Sequence, residues 1–214
     1  MKITWYGHSC FLLTAENGVS ILTDPCGRDT GYTLHDIACD AVTVSHDHYD
    51  HNCLGIIAGS PQVIQTVGEH RVGDIPVTGF ATFHDEVHGA KRGPNIVFRY
   101  VIDDLRLVHL GDLGHMPDDE LIGKIGSVDV LFIPVGGVYT IDSRLATRVS
   151  EALRPRVLIP MHYKTPALRI NIDGLDPLLA ANTKRSVHRL NASTCTLTRE
   201  TLGDNRLLLL DYKR

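Results

Sequence analysis

The chain reads as a mixed α/β domain with a site along one edge of its sheets, and three observations predict this. The first half is dense in short apolar segments separated by turn residues. The second half alternates such segments with helix-like ones. Each isolated group of histidine or aspartate donors stands directly after an apolar segment.

Size and composition agree with that class. A chain of 214 residues, 43% hydrophobic and 21% charged, can bury a sizeable core and is expected to form one domain over 1–214. A net charge of −4 provides no global basic field, which argues against nucleic acid or an anionic membrane as partner and leaves a small molecule. Oligomeric state leaves no mark on the sequence. The N-terminal run Met1 to Tyr6 reads as a strand rather than a charged leader with an apolar core, and no apolar run reaches membrane-spanning length, so a cytoplasmic location is expected. Five cysteines, odd in number and without CxxC spacing, predict small buried thiols rather than disulfides or a thiolate metal site. Cys53, two residues past His51, ranks as a core thiol ahead of a soft ligand.

The elements follow in order. Residues 3–6, 10–14 and 19–23 read as a three-strand meander broken by Gly7 and by Glu16-Asn17-Gly18, the third strand stopped by Asp24-Pro25. Residues 27–40 are polar and irregular. A strand at 41–44 leads into Ser45 to His51, and residues 52–58 predict a short helix ended by Gly59-Ser60-Pro61. A strand at 62–65 and a pair within 75–83, divided at Gly79, deliver the chain to His84. Apolar strands at 96–101 and 105–110 are joined by Asp103-Asp104, and the second runs into Gly111-Asp112-Leu113-Gly114-His115. Pro117-Asp118-Asp119-Glu120 opens a helix. A strand at 128–134 follows, then a helix capped by Asp142 and running to about Leu153, a buried strand at 156–160 ending at Met161-His162, a helix from Asp176-Pro177 and a last strand at 206–210.

The loop after 41–44 is the densest chemistry in the chain. His46, His48, Asp50 and His51 fall within six positions, and histidines at i and i+2 on extended chain point the same way. Crowding so many polar donors is costly unless a cation neutralises them, and a metal site then needs further ligands from elsewhere. Singly, His84, Asp112, His115 and His162 carry little weight; beside the loop they supply what it lacks. Asp24, at a strand end, reads locally as a turn-capping carboxylate.

The arrangement His46, His48, Asp50, His51 resembles the HxHxDH motif of the metallo-β-lactamase superfamily, with His84, Asp112 and His162 following in that superfamily's order. The resemblance implies an αββα sandwich of two mixed β-sheets flanked by helices, with a binuclear centre at one edge. It implies that His46, His48 and His84 bind one divalent ion, that Asp50, His51 and His162 bind a second, and that Asp112 bridges them. Asp24 takes the place of an aspartate supporting the histidine loop, and Asp50 becomes the catalytic residue. Nitrogen and oxygen ligands without thiolate suit zinc first, and also manganese or iron. The implied chemistry is hydrolysis by a metal-bridged hydroxide.

Asp112, and a histidine rather than a cysteine at 51, disfavour antibiotic hydrolysis. Gly7-His8-Ser9, Asp24-Pro25 and Gly111-Asp112-Leu113-Gly114-His115 are similar to the small stand-alone branch that includes ascorbate-6-phosphate lactonase. The activity implied first is hydrolysis of a lactone or other ester-type small molecule, with a phosphodiesterase second. A metal-binding protein without turnover is the alternative of another class. His88, Lys91, Arg92, His115 and Lys164 are candidate substrate contacts, Arg169 is read as a surface charge, and His8 has no role beyond a hydrogen bond beneath the site.

Overall fold

A computed structural model describes residues 1–213. The strands are β1 (Lys2–Gly7), β2 (Cys10–Thr14), β3 (Ser20–Thr23), β4 (Ile37–Ala38), β5 (Ala41–Thr43), β6 (Ile57–Ala58), β7 (Gln62–Ile64), β8 (Gly68–Val72), β9 (Ile75–Phe83), β10 (Pro94–Ile102), β11 (Leu105–His109), β12 (Val130–Pro134), β13 (Val157–Met161), β14 (Ser186–Arg189), β15 (Thr194–Thr196) and β16 (Arg206–Leu209). The helices are α1 (Asp119–Ile125), α2 (Ser143–Leu153) and α3 (Asp176–Ala181).

Two mixed sheets face each other, as the resemblance implied. One runs β15-β1-β2-β3-β5-β7, an antiparallel meander continued by parallel strands; the other runs β14-β16-β13-β12-β11-β10-β9-β8, antiparallel from β8 to β11 and parallel beyond. Alternation along the first sheet divides its side chains. Ile3, Trp5, Phe11, Leu13 and Ile21 enter the core shared with Phe98, Tyr100, Leu107 and Phe132 of the second sheet, where the Phe11 and Phe132 rings meet at 4.6 Å. Tyr6, Cys10, Leu22 and Val42 point the other way, into a smaller cluster with Tyr32, Leu34, Ile37, Ile56, Leu168 and Ile172. Residues 27–40, read as polar and irregular, therefore also cover the outer face of the first sheet.

The three helices among the described residues all belong to the second half. Asp118 and Asp142 cap α1 and α2, each side chain accepting the amide of the residue three further on. α2 buries Ala146, Val149 and Leu153, a face at helical spacing. No helix among the described residues is long and apolar enough to cross a membrane.

The elements differ from the sequence reading in three places. Residues 52–58 form a 3-10 turn (Leu54–Ile56) and the short strand β6, since Gly55 and two β-branched isoleucines support helix poorly. β9 is one nine-residue strand; Gly79 does not divide it but admits the Thr66 carbonyl, which would lie 2.7 Å from an added Cβ. β4, β8, β14 and β15 were not anticipated. The five cysteines are free thiols, as expected, but only Cys10 and Cys26 are buried; Cys39, Cys53 and Cys195 are half-buried.

Candidate metal centre

Every donor group emerges from the end of a strand, on the same edge of both sheets. The histidine loop follows β5 and Asp24 follows β3, in the first sheet; His84, Asp112 and His162 follow β9, β11 and β13, in the second. The edges are stitched together there: the Ile96 amide donates to the Ser45 carbonyl at 2.8 Å, the His162 amide to the His8 carbonyl at 3.3 Å, and His109 Nε2 to the Ser9 carbonyl at 3.0 Å. Within the loop, the His51 and Asn52 amides both donate to the His48 carbonyl, turning the chain so that Asp50 and His51 come beside His46.

Asp112 lies at the centre. Its Oδ2 is 3.1 Å from His162 Nε2, 3.2 Å from His84 Nε2 and 3.9 Å from His46 Nε2, and its Oδ1 is 3.3 Å from His51 Nε2. His48, half-buried, completes a group with His46 and His84; Asp50, His51 and His162 form another with His8; Asp112 joins His46 and His51 in a third. Ligand atoms within each group lie within 4.8 Å of one another. The structure thus gathers all seven residues that the resemblance implied. Cys53 is in none of these groups and packs instead beside Gly27.

Hydrogen bonds from behind orient the rings. Asp24, fully buried, accepts the Ser45 amide at 2.8 Å, the Ser45 hydroxyl at 2.6 Å and His51 Nδ1–H at 2.9 Å. Having given its proton to Asp24, Ser45 Oγ accepts from His46 Nδ1–H at 2.9 Å. One carboxylate therefore sets the tautomers of two histidines, so that Nε2 of each faces inward; neither Nε2 has a hydrogen-bond partner. Asn95 holds the backbone at Asp112: its Oδ1 accepts the Asp112 amide at 2.9 Å, while its Nδ2 donates to Thr82 Oγ1 and the Leu110 carbonyl.

Electrostatics within the cluster favour what a cation needs. Burial, reinforced by the His51 ring, pushes the His46 pKa down to about 3, so that ring is neutral at ordinary pH. Burial likewise lowers His48. Burial opposes the charge on Asp112, but His162 and His51 outweigh it and hold its carboxyl well below the usual range. Burial also opposes a charged His51, yet Asp112 and Asp24 outweigh it and push that ring's pKa well above its ordinary value. His51 would hold a divalent ion through a deprotonated Nε2. Orphaned ring nitrogens, neutral imidazoles and buried carboxylates together fit divalent metal ions.

His8, assigned only a hydrogen bond by its sequence context, is fully buried with φ +51°, and its Nε2 lies 3.1 Å from Asp50 Oδ2. Burial and the neighbouring His162 bring its pKa down to about 4, so it is a neutral ring donating to Asp50. Ser45 and Asn95 have no motif spacing of their own, and His8 was marked only by Gly7-His8-Ser9.

Gly114 allows the second sheet's ligands to converge. A Cβ there would stand 2.3 Å from the backbone of His84 and Asp85, with no flexible atom to yield. Gly114→Ala is expected to destabilise by roughly 1–3 kcal/mol, as overpacking does, and to displace His84. Denaturant unfolding and metal titration of the variant check both.

The centre opens into a cavity of about 380 Å³ lined by His48, Tyr49, Asp50, His84, Lys91, Arg92, Asp112, Tyr139, His162 and Ile170. Of the sequence-proposed substrate contacts, Lys91 and Arg92 line it. His88 and His115 line a different cavity, between β9 and the start of α1, where His115 Nε2 accepts the Phe83 amide. Lys164 donates to the Leu168 and Ile170 carbonyls at 2.6 and 3.0 Å, bracing the chain beneath the first sheet.

Comparison with known proteins agrees with this architecture. Residues 2–162 match the β-lactamase superfamily domain. A UPF0173 metal-dependent hydrolase of Nitratidesulfovibrio vulgaris is 31% identical over 97% of this chain and 95% of its own length. A Thermotoga maritima structure, assigned by inference as a Zn-dependent hydrolase of the metallo-β-lactamase superfamily, superposes with a TM-score of 0.82 at 35% identity, covering 99% of both chains. The Ignicoccus hospitalis metallo hydrolase Igni18 shares the fold at a TM-score of 0.62 and 23% identity, over 79% of this chain and 86% of that one.

Proposed function

The chain belongs to the UPF0173 metal-dependent hydrolases of the metallo-β-lactamase superfamily, and from that premise we propose that it hydrolyses a lactone or other ester-type small molecule at a two-metal centre. The observation that carries this reading is the single buried carboxylate of Asp112, faced by Nε2 of His46, His51, His84 and His162 within 3.9 Å. In the proposed assignment His46, His48 and His84 hold one ion, Asp50, His51 and His162 the other, and Asp112 is shared. Zinc suits the imidazole and carboxylate set, with manganese and iron as alternatives.

When bound, the ions would lower the pKa of a water and polarise the scissile carbonyl. The remaining work falls to the chain. Asp24, through Ser45 and directly, keeps the His46 and His51 lone pairs aimed inward. His8 ties down Asp50 Oδ2, leaving Oδ1 to accept a proton from the attacking water and return it to the leaving oxygen. The cavity has room for a small substrate.

Purified protein loaded with zinc or manganese, assayed on lactones, thioesters and bis-p-nitrophenyl phosphate, tests the reading. Metal-dependent turnover of lactones or esters is expected. Turnover of the phosphodiester alone would replace it with phosphodiesterase chemistry, and firm metal binding with no turnover would favour a non-catalytic metal protein. Asp112→Ala is expected to lower occupancy of both sites together, read by elemental analysis; a variant keeping one ion per chain at full occupancy would sink the shared-ligand assignment.

A further inference from the structure

We propose that Arg92, backed by Tyr139, is the subsite that holds an anionic group of the substrate, so that the preferred substrates are small esters or lactones carrying a carboxylate or a phosphate-type group away from the scissile bond. The proposal rests on the hydrolase reading above and adds the substrate class to it.

Three cations near the site could hold such a group, and their surroundings separate them. Lys164 is committed to two backbone carbonyls. Lys91 is paired with Glu86, in solvent. Among the described residues Arg92 has no carboxylate within 4.0 Å, and the one guanidinium hydrogen bond recorded for it is Nη2 to the Val138 carbonyl at 3.3 Å. A guanidinium has five N–H donors, so most of its fork is free for a planar two-oxygen acceptor. Its carbon lies over the Tyr139 ring, 5.5 Å from the centroid, within cation–π reach.

The arm bearing Arg92 is rigid before any ligand arrives. Asp85, beside His84, accepts the amides of Val87, Gly89, Lys91 and Arg92 at 2.8 to 2.9 Å. The loop then closes on the site strand, the Gly93 amide donating to the Gly89 carbonyl and the His84 amide to the Gly93 carbonyl. Arg92 is thus held at a fixed span from His84, on the wall of the same cavity. Tyr49 and Tyr139, 62% and 43% exposed, face that cavity and give the organic part of a substrate an apolar surface.

A matched series of 4-nitrophenyl esters tests the subsite: butyrate, hydrogen succinate and 3-phosphonopropionate, of similar length and differing in the distal group. In each, water oxygen bonds to the acyl carbon as the bond to nitrophenolate breaks, and the surplus proton goes to solvent. The succinate or phosphonopropionate ester is expected to exceed the butyrate in kcat/KM by about tenfold or more, and the better of the two identifies the anion. R92Q is expected to erase the preference through KM, with R92K restoring part of it. A wild-type preference for butyrate, or an unchanged preference in R92Q, overturns the proposal. If no ester is cleaved, the hydrolase reading fails on these substrates, and calorimetric titration of the metal-loaded protein with succinate and with methylphosphonate decides the subsite. Binding weakened about tenfold by R92Q supports it; absent binding, or equal binding to both proteins, overturns it.

Discussion

Asp50→Ala is expected to lower kcat/KM by about 10³-fold or more, because the substitution removes a metal ligand and the proton carrier together. Asp50→Asn separates the two roles. The amide oxygen still accepts from His8 Nε2, as the carboxylate does at 3.1 Å, but it cannot take a proton at neutral pH. Steady-state kinetics beside elemental analysis reads both. An Asn variant that keeps its metal and loses turnover assigns proton transfer to Asp50, whereas one that keeps its metal and turns over normally removes Asp50 from the chemistry. The fold should survive either change, since Asp50 sits in a loop and the hydrogen bond lost in the alanine variant is worth about 1–2 kcal/mol. Global unfolding by circular dichroism would count against a purely catalytic role.

The second large effect is expected at Asp24. Replacing it with alanine strands the Ser45 amide and hydroxyl and His51 Nδ1–H in a fully buried pocket. Breaking a buried, hydrogen-bonded charge in this way costs roughly 3–5 kcal/mol, a large part of the whole stability of a domain. The lost tautomer control should also weaken metal binding by about 10–100-fold. Denaturant unfolding and chelator competition measure the two effects separately. Asp24→Asn keeps an acceptor and tolerates the φ of +37° found there, so it should lie between wild type and alanine. Normal stability and metal affinity in the alanine variant would show that the histidine loop orients itself.

Much of this site was legible because its chemistry is concentrated. Four donors within six residues need partners, and His84, Asp112 and His162 were recognisable as single donors placed after apolar strands. What escaped was of two kinds. The four unanticipated strands are all edge strands: β8 and β14 at the ends of the eight-stranded sheet, β15 at the end of the six-stranded sheet, and β4 in a two-stranded sheet with β6. β14 is exposed along its whole length and β8 buries only Val72, so neither carries the apolar alternation that marks a paired strand. The supporting residues escaped for a different reason. Ser45 reaches Asp24 across 21 residues of sequence, Asn95 reaches its partners across 13 to 17, and His8 reaches Asp50 across 42; no local pattern encodes such pairings, and for His8 the hydrogen bond beneath the site was expected without its partner.

The donors come from two sources that meet only late. The first sheet brings His46, His48, Asp50 and His51, and the second brings His84, Asp112 and His162. An undocked first sheet offers an open claw with no shared carboxylate, and an undocked second sheet offers scattered single ligands. The complete cage is thus a certificate of assembly. During refolding, capture of metal with native affinity should coincide with closure of the two sheets on each other rather than with formation of either one, which makes metal uptake a clock for the last step of folding.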